Sequence, residues 1–157
     1  MKIIEGCPGS KTLDFRNQDE KEESTGSFKS QLRQWPIQMH LISPTAPYYQ
    51  GADVVLTSDC VAYALGGFHR DYLKGKAIGI ACPKLDQGQE VYVEKIRSWI
   101  DDAKINTLTV IIMQVPCCMG LVSIAKAALQ KSKRKIPVKS VVVGINGEIL
   151  QEKWLST

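Results

Sequence analysis

Two kinds of hydrophobic pattern alternate along the chain from about residue 54 onward. Short unbroken apolar runs recur at Val54-Val55-Leu56-Thr57, Ala77-Ile78-Gly79-Ile80-Ala81, Leu108-Thr109-Val110-Ile111-Ile112-Met113 and Ser140-Val141-Val142-Val143. Ile37-Gln38-Met39-His40-Leu41-Ile42 is a candidate fifth run. A strand with one wet face alternates apolar and polar residues, whereas an unbroken run suits a strand covered on both faces, as in a parallel sheet. Between the runs the period lengthens. Tyr92, Ile96, Trp99 and Ala103 share one helical face, with Glu90, Glu94, Lys95, Arg97, Asp101 and Asp102 opposite. Leu121, Val122, Ile124, Ala125, Ala128 and Leu129 form a second stripe over residues 119–131. A shorter helix is predicted over residues 61–73, broken at Gly66-Gly67.

Strand and helix in alternation imply right-handed crossovers. The fold expected is α/β: a Rossmann-like three-layer sandwich around a mainly parallel sheet of about five strands. Near the end, Asn146-Gly147 suits a type I′ turn. It predicts a C-terminal β-hairpin that finishes in an antiparallel edge strand over residues 148–154.

The first part of the chain reads differently. Gly6-Cys7-Pro8-Gly9-Ser10 is turn-rich, and residues 19–27 are polar and charged with little to bury. Residues 1–29 are therefore expected to be a flexible leader, and 30–157 a single α/β domain. At 157 residues the chain suffices for one well-buried core. No apolar run approaches the ~20 residues of a membrane helix, and no secretion signal opens the chain. The expectation is a cytoplasmic protein with no membrane partner.

Charge changes this picture little. The net charge is +4, but Lys131, Lys133, Arg134, Lys135 and Lys139 fall together with no acid between them. A solvated helix end whose cations complement the helix dipole is the plain reading. A docking patch for an acidic redox partner is the alternative. No nucleic-acid motif accompanies the cluster, so no nucleic-acid partner is expected.

The cysteines carry the chemistry. Five cysteines without a signal argue for packing, metal binding or redox chemistry rather than a disulfide framework. Cys60, Cys82, Cys117 and Cys118 each follow a predicted strand closely. In a parallel sheet those positions share the C-terminal edge, where open α/β sheets bind ligands. Each also precedes a predicted helix. Asp59 is expected to cap the first helix, and Pro83 to open the next. Helix N-termini favour thiolate, the form that binds soft metals and iron–sulfur clusters. Cys7 and His69 are further candidate ligands. Asp59, Lys84 and Asp86 sit on the same edge, with capping and loop structure as their plain role. His40 reads as structural. Nothing marks a nucleotide phosphate cradle, because GxxxxGK[ST] and GxGxxG are both absent. Whether the chain is an enzyme stays open.

Taken in order, several segments resemble one family. They are Gly6-Cys7-Pro8-Gly9-Ser10, Trp35-Pro36-Ile37-Gln38-Met39-His40-Leu41, Ser58-Asp59-Cys60-Val61-Ala62-Tyr63-Ala64, Phe68-His69-Arg70-Asp71-Tyr72-Leu73-Lys74-Gly75, Ala81-Cys82-Pro83-Lys84-Leu85-Asp86 and Val115-Pro116-Cys117-Cys118. The chain is similar to the C-terminal domain of an uncharacterised family of ferredoxin-like (4Fe-4S) iron–sulfur proteins of bacteria and archaea. In that family an N-terminal half with CxxCxxCxxxCP runs holds two clusters. That run is absent from this sequence, so the resemblance implies an electron carrier that is either a separate ferredoxin or a further part of the chain. Two functions follow. The first is an iron–sulfur cluster- or metal-binding accessory redox domain, with zinc or another soft metal as the alternative to a cluster. The second is a non-catalytic docking module whose cysteines are structural.

Overall fold

The computed structural model describes residues 11–16 and 28–155. Cys7, and most of the expected leader with it, lies outside the described residues. The main sheet has five strands: β3 (Asp53–Ser58), β4 (Ala77–Ala81), β5 (Thr107–Met113), β6 (Val138–Val143) and β7 (Ile149–Leu155), in the order β4-β3-β5-β6-β7. β3, β4, β5 and β6 pair in parallel, and β7 closes the sheet antiparallel to β6. The unbroken apolar runs are accounted for directly. Val54, Val55, Leu56, Leu108, Val110, Ile111 and Ile112 are all fully buried, so the central strands are covered on both sides.

The crossovers set the layers. From β3 the chain passes through α1 (Val61–Ala64) and a π-helical turn (His69–Leu73) to β4 on one side. It then returns through α2 (Gln89–Asp101) to β5 and through α3 (Met119–Lys131) to β6 on the other side. Right-handed connections that step in opposite directions put their helices on opposite faces. α2 and α3 pack together on one face. The short α1 and π-helical turn form a thinner layer on the other, where the Tyr72 hydroxyl donates to Glu152 of β7 at 2.7 Å. The break at Gly66-Gly67 falls where the sequence places it. No helix of the described residues is long and apolar enough to cross a membrane.

Two local expectations are corrected. Residues 37–42 form no strand of the sheet; only an isolated parallel bridge joins Gln38 to Ile80. The amides of Leu41 and Ile42 both donate to the Gln38 carbonyl, at 2.8 and 3.0 Å, and the His40 amide donates to the Gln38 side chain at 2.7 Å. These local bonds fold the segment into a turn and compete with any ladder. Met39 is buried nonetheless.

The hairpin also differs from a type I′ turn, which needs positive φ at both central residues. Among the described non-glycine residues only Lys104 has positive φ, so Asn146 does not supply it. The Gly147 amide instead donates to Gly144 at 2.8 Å, Gly147 takes φ 87°, and the Gly144 amide then bonds the Glu148 carbonyl at 2.8 Å. This is the longer loop ending in a left-handed glycine. Gly147 is also pressed against the Ala64 carbonyl oxygen, where a Cβ would not fit.

Of the leader, β1 (Leu13–Asp14) pairs antiparallel with β2 (Gln34–Trp35) and is exposed. Gln34, at the start of the domain, is buried and binds the outer edge of β4. Its side chain accepts from the Ile78 amide at 2.8 Å and donates to the Ile78 carbonyl at 2.9 Å. It thus replaces one residue of a neighbouring strand.

Candidate functional site

β3 and β5 are adjacent, but the chain leaves them in opposite directions. Their boundary is therefore the topological switch point, where an open α/β sheet has a crevice beyond its C-terminal edge. The cysteines of the described chain lie in the loops at this edge. Cys60 follows β3, Cys82 follows β4, and Cys117 and Cys118 lie in the 3-10 turn Pro116–Cys118 after β5. All four are free thiols.

The three loops interlock. The Asp59 amide donates to the Ala81 carbonyl at 3.1 Å, tying the loop after β3 to the end of β4. The Ser58 hydroxyl lies against the Cys118 thiol. A Cβ on Gly120 would stand 3.1 Å from Pro83, so the start of α3 rests on the loop that carries Cys82. Asp86 braces that loop: one carboxylate oxygen accepts from the Cys82 amide at 2.9 Å and the Tyr92 hydroxyl at 2.5 Å. The Gln38 side chain reaches the same oxygen at 3.3 Å.

The thiols differ in exposure. Cys60 and Cys117 are exposed, Cys82 is half-buried, and Cys118 is buried against Ser58. Among the described residues no three His, Cys, Asp or Glu side chains already stand close enough to hold an ion. The residues fit a soft-metal centre in chemistry and in placement on one edge, but they do not form a closed coordination shell. Loop or rotamer movement at the exposed Cys60 and Cys117 would have to complete it.

Sequence expectations about the helix starts change here. α1 has Cys60 as its N-cap and no side-chain cap bond, so Asp59 does not cap it. Pro83 opens a turn rather than α2, which begins after Gly88 at φ 68°. Cys118 is the N-cap of α3, also without a side-chain cap. Burial pushes its thiol up, outweighing the Met113 backbone and the Ser58 hydroxyl, which pull it down. The expected easy ionisation does not apply to the free Cys118 thiol, because desolvation disfavours thiolate more than these donors favour it.

Asp59 faces inward instead. One of its carboxylate oxygens is buried without a hydrogen-bond partner, and so is the Ser58 hydroxyl. Burial raises the Asp59 carboxyl, and the charge of Asp86 raises it further. The folded protein therefore keeps this proton to higher pH than the unfolded chain. The ionised group costs stability at neutral pH, and that cost fades as pH falls into the ordinary carboxylate range. Asp59→Asn is expected to raise the melting temperature of the chelator-treated protein at about pH 7, with the gain shrinking toward about pH 4. Melting curves across a pH series check this; equal midpoints at both ends would contradict it.

His69 is engaged elsewhere, whereas His40 packs against the loop that carries Cys82. His69 Nδ1 accepts from the Gln31 amide at 3.0 Å, which ties the π-helical turn to the segment before β2. His40 Nε2 meets the Gln87 carbonyl at 2.7 Å, and its ring lies 4.6 Å from that of Tyr92. The basic cluster is placed at the other end of the molecule. α3 starts at the cysteine edge and runs back along the sheet, so its C-terminus lies about 20 Å away at a rise of about 1.5 Å per residue. There Lys135 donates to the Leu129 carbonyl at 2.7 Å, and Arg134 to the Ile100 carbonyl at 2.5 Å. Asp101 accepts from the Lys133 and Arg134 amides, and Lys139 pairs with Glu152 at 3.1 Å. The contacts of residues 133–135 are those of a capped helix end, and the Lys139 pair joins β6 to β7.

The sequence did not show a set of exposed apolar side chains at the cysteine edge. Tyr63, Leu85, Val115, Met119 and Ile145 are all solvent-facing, and all lie on loops or first turns at the cysteine edge. Each is isolated in sequence, and only the topology collects them.

This fold and its edge define the class of protein. The model described as "Rossmann-like domain" matches residues 46–156, and the chain belongs to that family. The chain is also similar to an "Uncharacterized protein" of Archaeoglobus fulgidus, 28% identical over 121 residues, covering 76% of this chain and 83% of that one. No solved structure matches.

Proposed function

We propose that the chain is an accessory redox domain related to the ferredoxin-like iron–sulfur proteins. In this reading it holds an iron–sulfur cluster, or a single soft metal such as zinc, at the C-terminal edge of its sheet. The observation that carries this reading is the placement of the cysteines. All four in the described chain stand just beyond three neighbouring parallel strands, and none lies within a strand. Scattered core cysteines would have no reason to collect at a switch point.

In this reading Cys60, Cys82 and Cys118 are the ligands, with Cys117 as alternative or fourth. Cys7 lies outside the described residues and His69 is engaged by Gln31, so both are reserve candidates. Ser58 and the Met113 backbone lie beside the Cys118 sulfur and favour its thiolate, and Asp86 fixes the turn of Cys82. A centre held by such thiolates supplies one-electron transfer if it is a cluster, or Lewis acidity if it is zinc. Binding must also release the Cys118 proton, so affinity rises with pH.

The exposed apolar set supports docking of a redox partner, such as a ferredoxin, at the cysteine edge. Interface cores are apolar and depleted of charge. The basic cluster, about 20 Å away along α3, is too far to touch that partner's centre and serves at most in long-range steering.

The lack of a closed coordination shell favours a second reading, a docking module that binds its partner through the same apolar side chains and carries no metal. Anaerobic reconstitution with iron and sulfide, and separately with zinc, decides between them. Visible charge-transfer absorption with matching iron and sulfide content, and reduction by a reduced ferredoxin, is the expected result. A protein that takes up no metal under either condition belongs to the second reading.

A further inference from the structure

At the edge of the sheet opposite the cysteines, the N-terminal ends of β3 and β4 border a cavity of about 250 Å³. Its walls include Arg16, Arg33, Tyr48, Gln50, Gly75 and Lys76. We propose that this cavity binds a small oxyanion, the phosphate or carboxylate group of a small molecule, between Arg33, Lys76 and the hydroxyl of Tyr48.

Charge is the first support. Arg16 is already neutralised, since its guanidinium grips both oxygens of Asp14, the shorter contact being 2.7 Å. Arg33 and Lys76 have no carboxylate within ion-pairing distance among the described residues. Arg33 donates from one nitrogen to the Arg16 carbonyl at 2.8 Å, which fixes the side chain and leaves the rest of its fork open. Asp14 feels the charge of Arg33 at longer range but is held by Arg16, so among the described residues the wall carries Arg16, Arg33 and Lys76 against one carboxylate, an excess of positive charge that an anion offsets. Arginine is suited to it because its fork meets two oxygens at once.

Tyr48 is the second and independent support. It is 1% exposed, and its hydroxyl has no hydrogen-bond partner among the described residues. Buried hydroxyls are nearly always paired, and an unpaired one calls for an explanation. Its neighbour Tyr49 shows how this fold satisfies one: that hydroxyl donates to the Ile78 carbonyl at 2.7 Å and accepts from Gln34 at 3.1 Å. Tyr48 lines the cavity together with Arg16 and Arg33, and its hydroxyl lies near enough to Asp14 to feel that charge. Burial and that charge both push the phenol up, so it stays protonated and can donate.

Size agrees with a small ligand. A volume of about 250 Å³ has room for a phosphate or a short carboxylic acid. The site lies away from the cysteine edge and does not depend on the redox reading.

The test is a titration of the full chain with inorganic phosphate, and in parallel with succinate, at ionic strength held constant with sodium chloride. Amide spectra follow it. Saturable shifts at residues 50–52 and 75–77 are expected with at least one anion. A response to phosphate alone, to succinate alone or to both tells which oxyanion the site takes. Arg33→Met and Lys76→Met should each weaken binding roughly tenfold or more. Tyr48→Phe removes only the unpaired oxygen. Without anion it should melt no lower than the parent, and with saturating anion it should gain less than the parent gains. No saturable shift with either anion up to about 50 mM, far weaker than a built site, would overturn the proposal. So would equal affinity in parent and all three variants, or the same shifts from chloride alone.

Discussion

Replacing Cys60, Cys82 and Cys118 together with alanine is expected to abolish metal retention while leaving the domain folded. Loss of groups that merely orient ligands typically weakens a site by about 10–100-fold, so losing three ligands should exceed the upper end of that range. The folded state has little to lose by comparison. Cys60 is exposed and Cys82 half-buried, and only Cys118 packs in the interior. A melting curve should move by no more than about 1–2 kcal/mol, the ordinary cost of one small buried truncation. Metal analysis after anaerobic loading reads the first effect, and thermal unfolding of the chelator-treated protein reads the second. Cys117→Ala separates the adjacent pair: it should retain metal if the inward Cys118 is the ligand, because neighbouring residues seldom bind one ion together. Full retention by the triple variant would place the metal elsewhere.

The largest effect on stability is expected from Gln34→Leu. Gln34 donates to the carbonyls of Pro36 and Ile78 and to the Tyr49 hydroxyl, and accepts from the Ile78 amide. Leucine has a similar volume but satisfies none of these. It would leave the amide of Ile78 buried without its partner, at about 1–3 kcal/mol for each such group. Two or more groups are affected, so a loss of about 2–5 kcal/mol is expected, a large part of the stability of a domain this size. Gln34→Glu should be intermediate, since it keeps the acceptor for Ile78 and loses the donors. Chemical denaturation measures both. A leucine variant within about 0.5 kcal/mol of the parent, the spread of ordinary surface changes, would contradict the bracing role.

That role was not legible in the sequence. The buried β-runs announced their own strands because both faces are covered, and Ala77–Ala81 and Met119–Lys131 fall where the pattern placed them. Amphipathic spacing likewise found α2, and Gly66-Gly67 marked the break before the π-helical turn. By contrast, Gln34 is a polar residue in a polar stretch, and nothing local says that it lies inside. Its burial follows from the free edge of β4, which is a property of strand order. For the same reason residues 37–42 read as a strand: their apolar content is real, with Met39 and Ile42 both in the core. The turn bonds around Gln38 are what exclude a ladder.

The candidate site was legible to a similar depth. Parallel topology puts positions just beyond different strands on one edge, so the shared edge of Cys60, Cys82 and the Cys117-Cys118 pair could be argued from the order of strands and helices. Local environments could not. Asp59 looked like a helix cap and is instead an inward carboxyl beside Asp86. Cys118 looked like an activated thiol and is held back by desolvation. The basic run of residues 131–139 is the exception: its plain reading as a helix end agrees with the bonds of Arg134 and Lys135 to the carbonyls of Ile100 and Leu129. The apolar set of Tyr63, Leu85, Val115, Met119 and Ile145 gave no sequence signal, because each residue stands alone in its own segment.

X-ray absorption at the metal edge of the anaerobically loaded protein tests the central claim most directly. Thiolate ligation predicts a first shell dominated by sulfur, at about 2.3 Å for zinc, with the sulfur contribution falling when Cys60, Cys82 or Cys118 is replaced. A first shell of nitrogen and oxygen alone, or a sulfur shell unchanged in those variants, would contradict it.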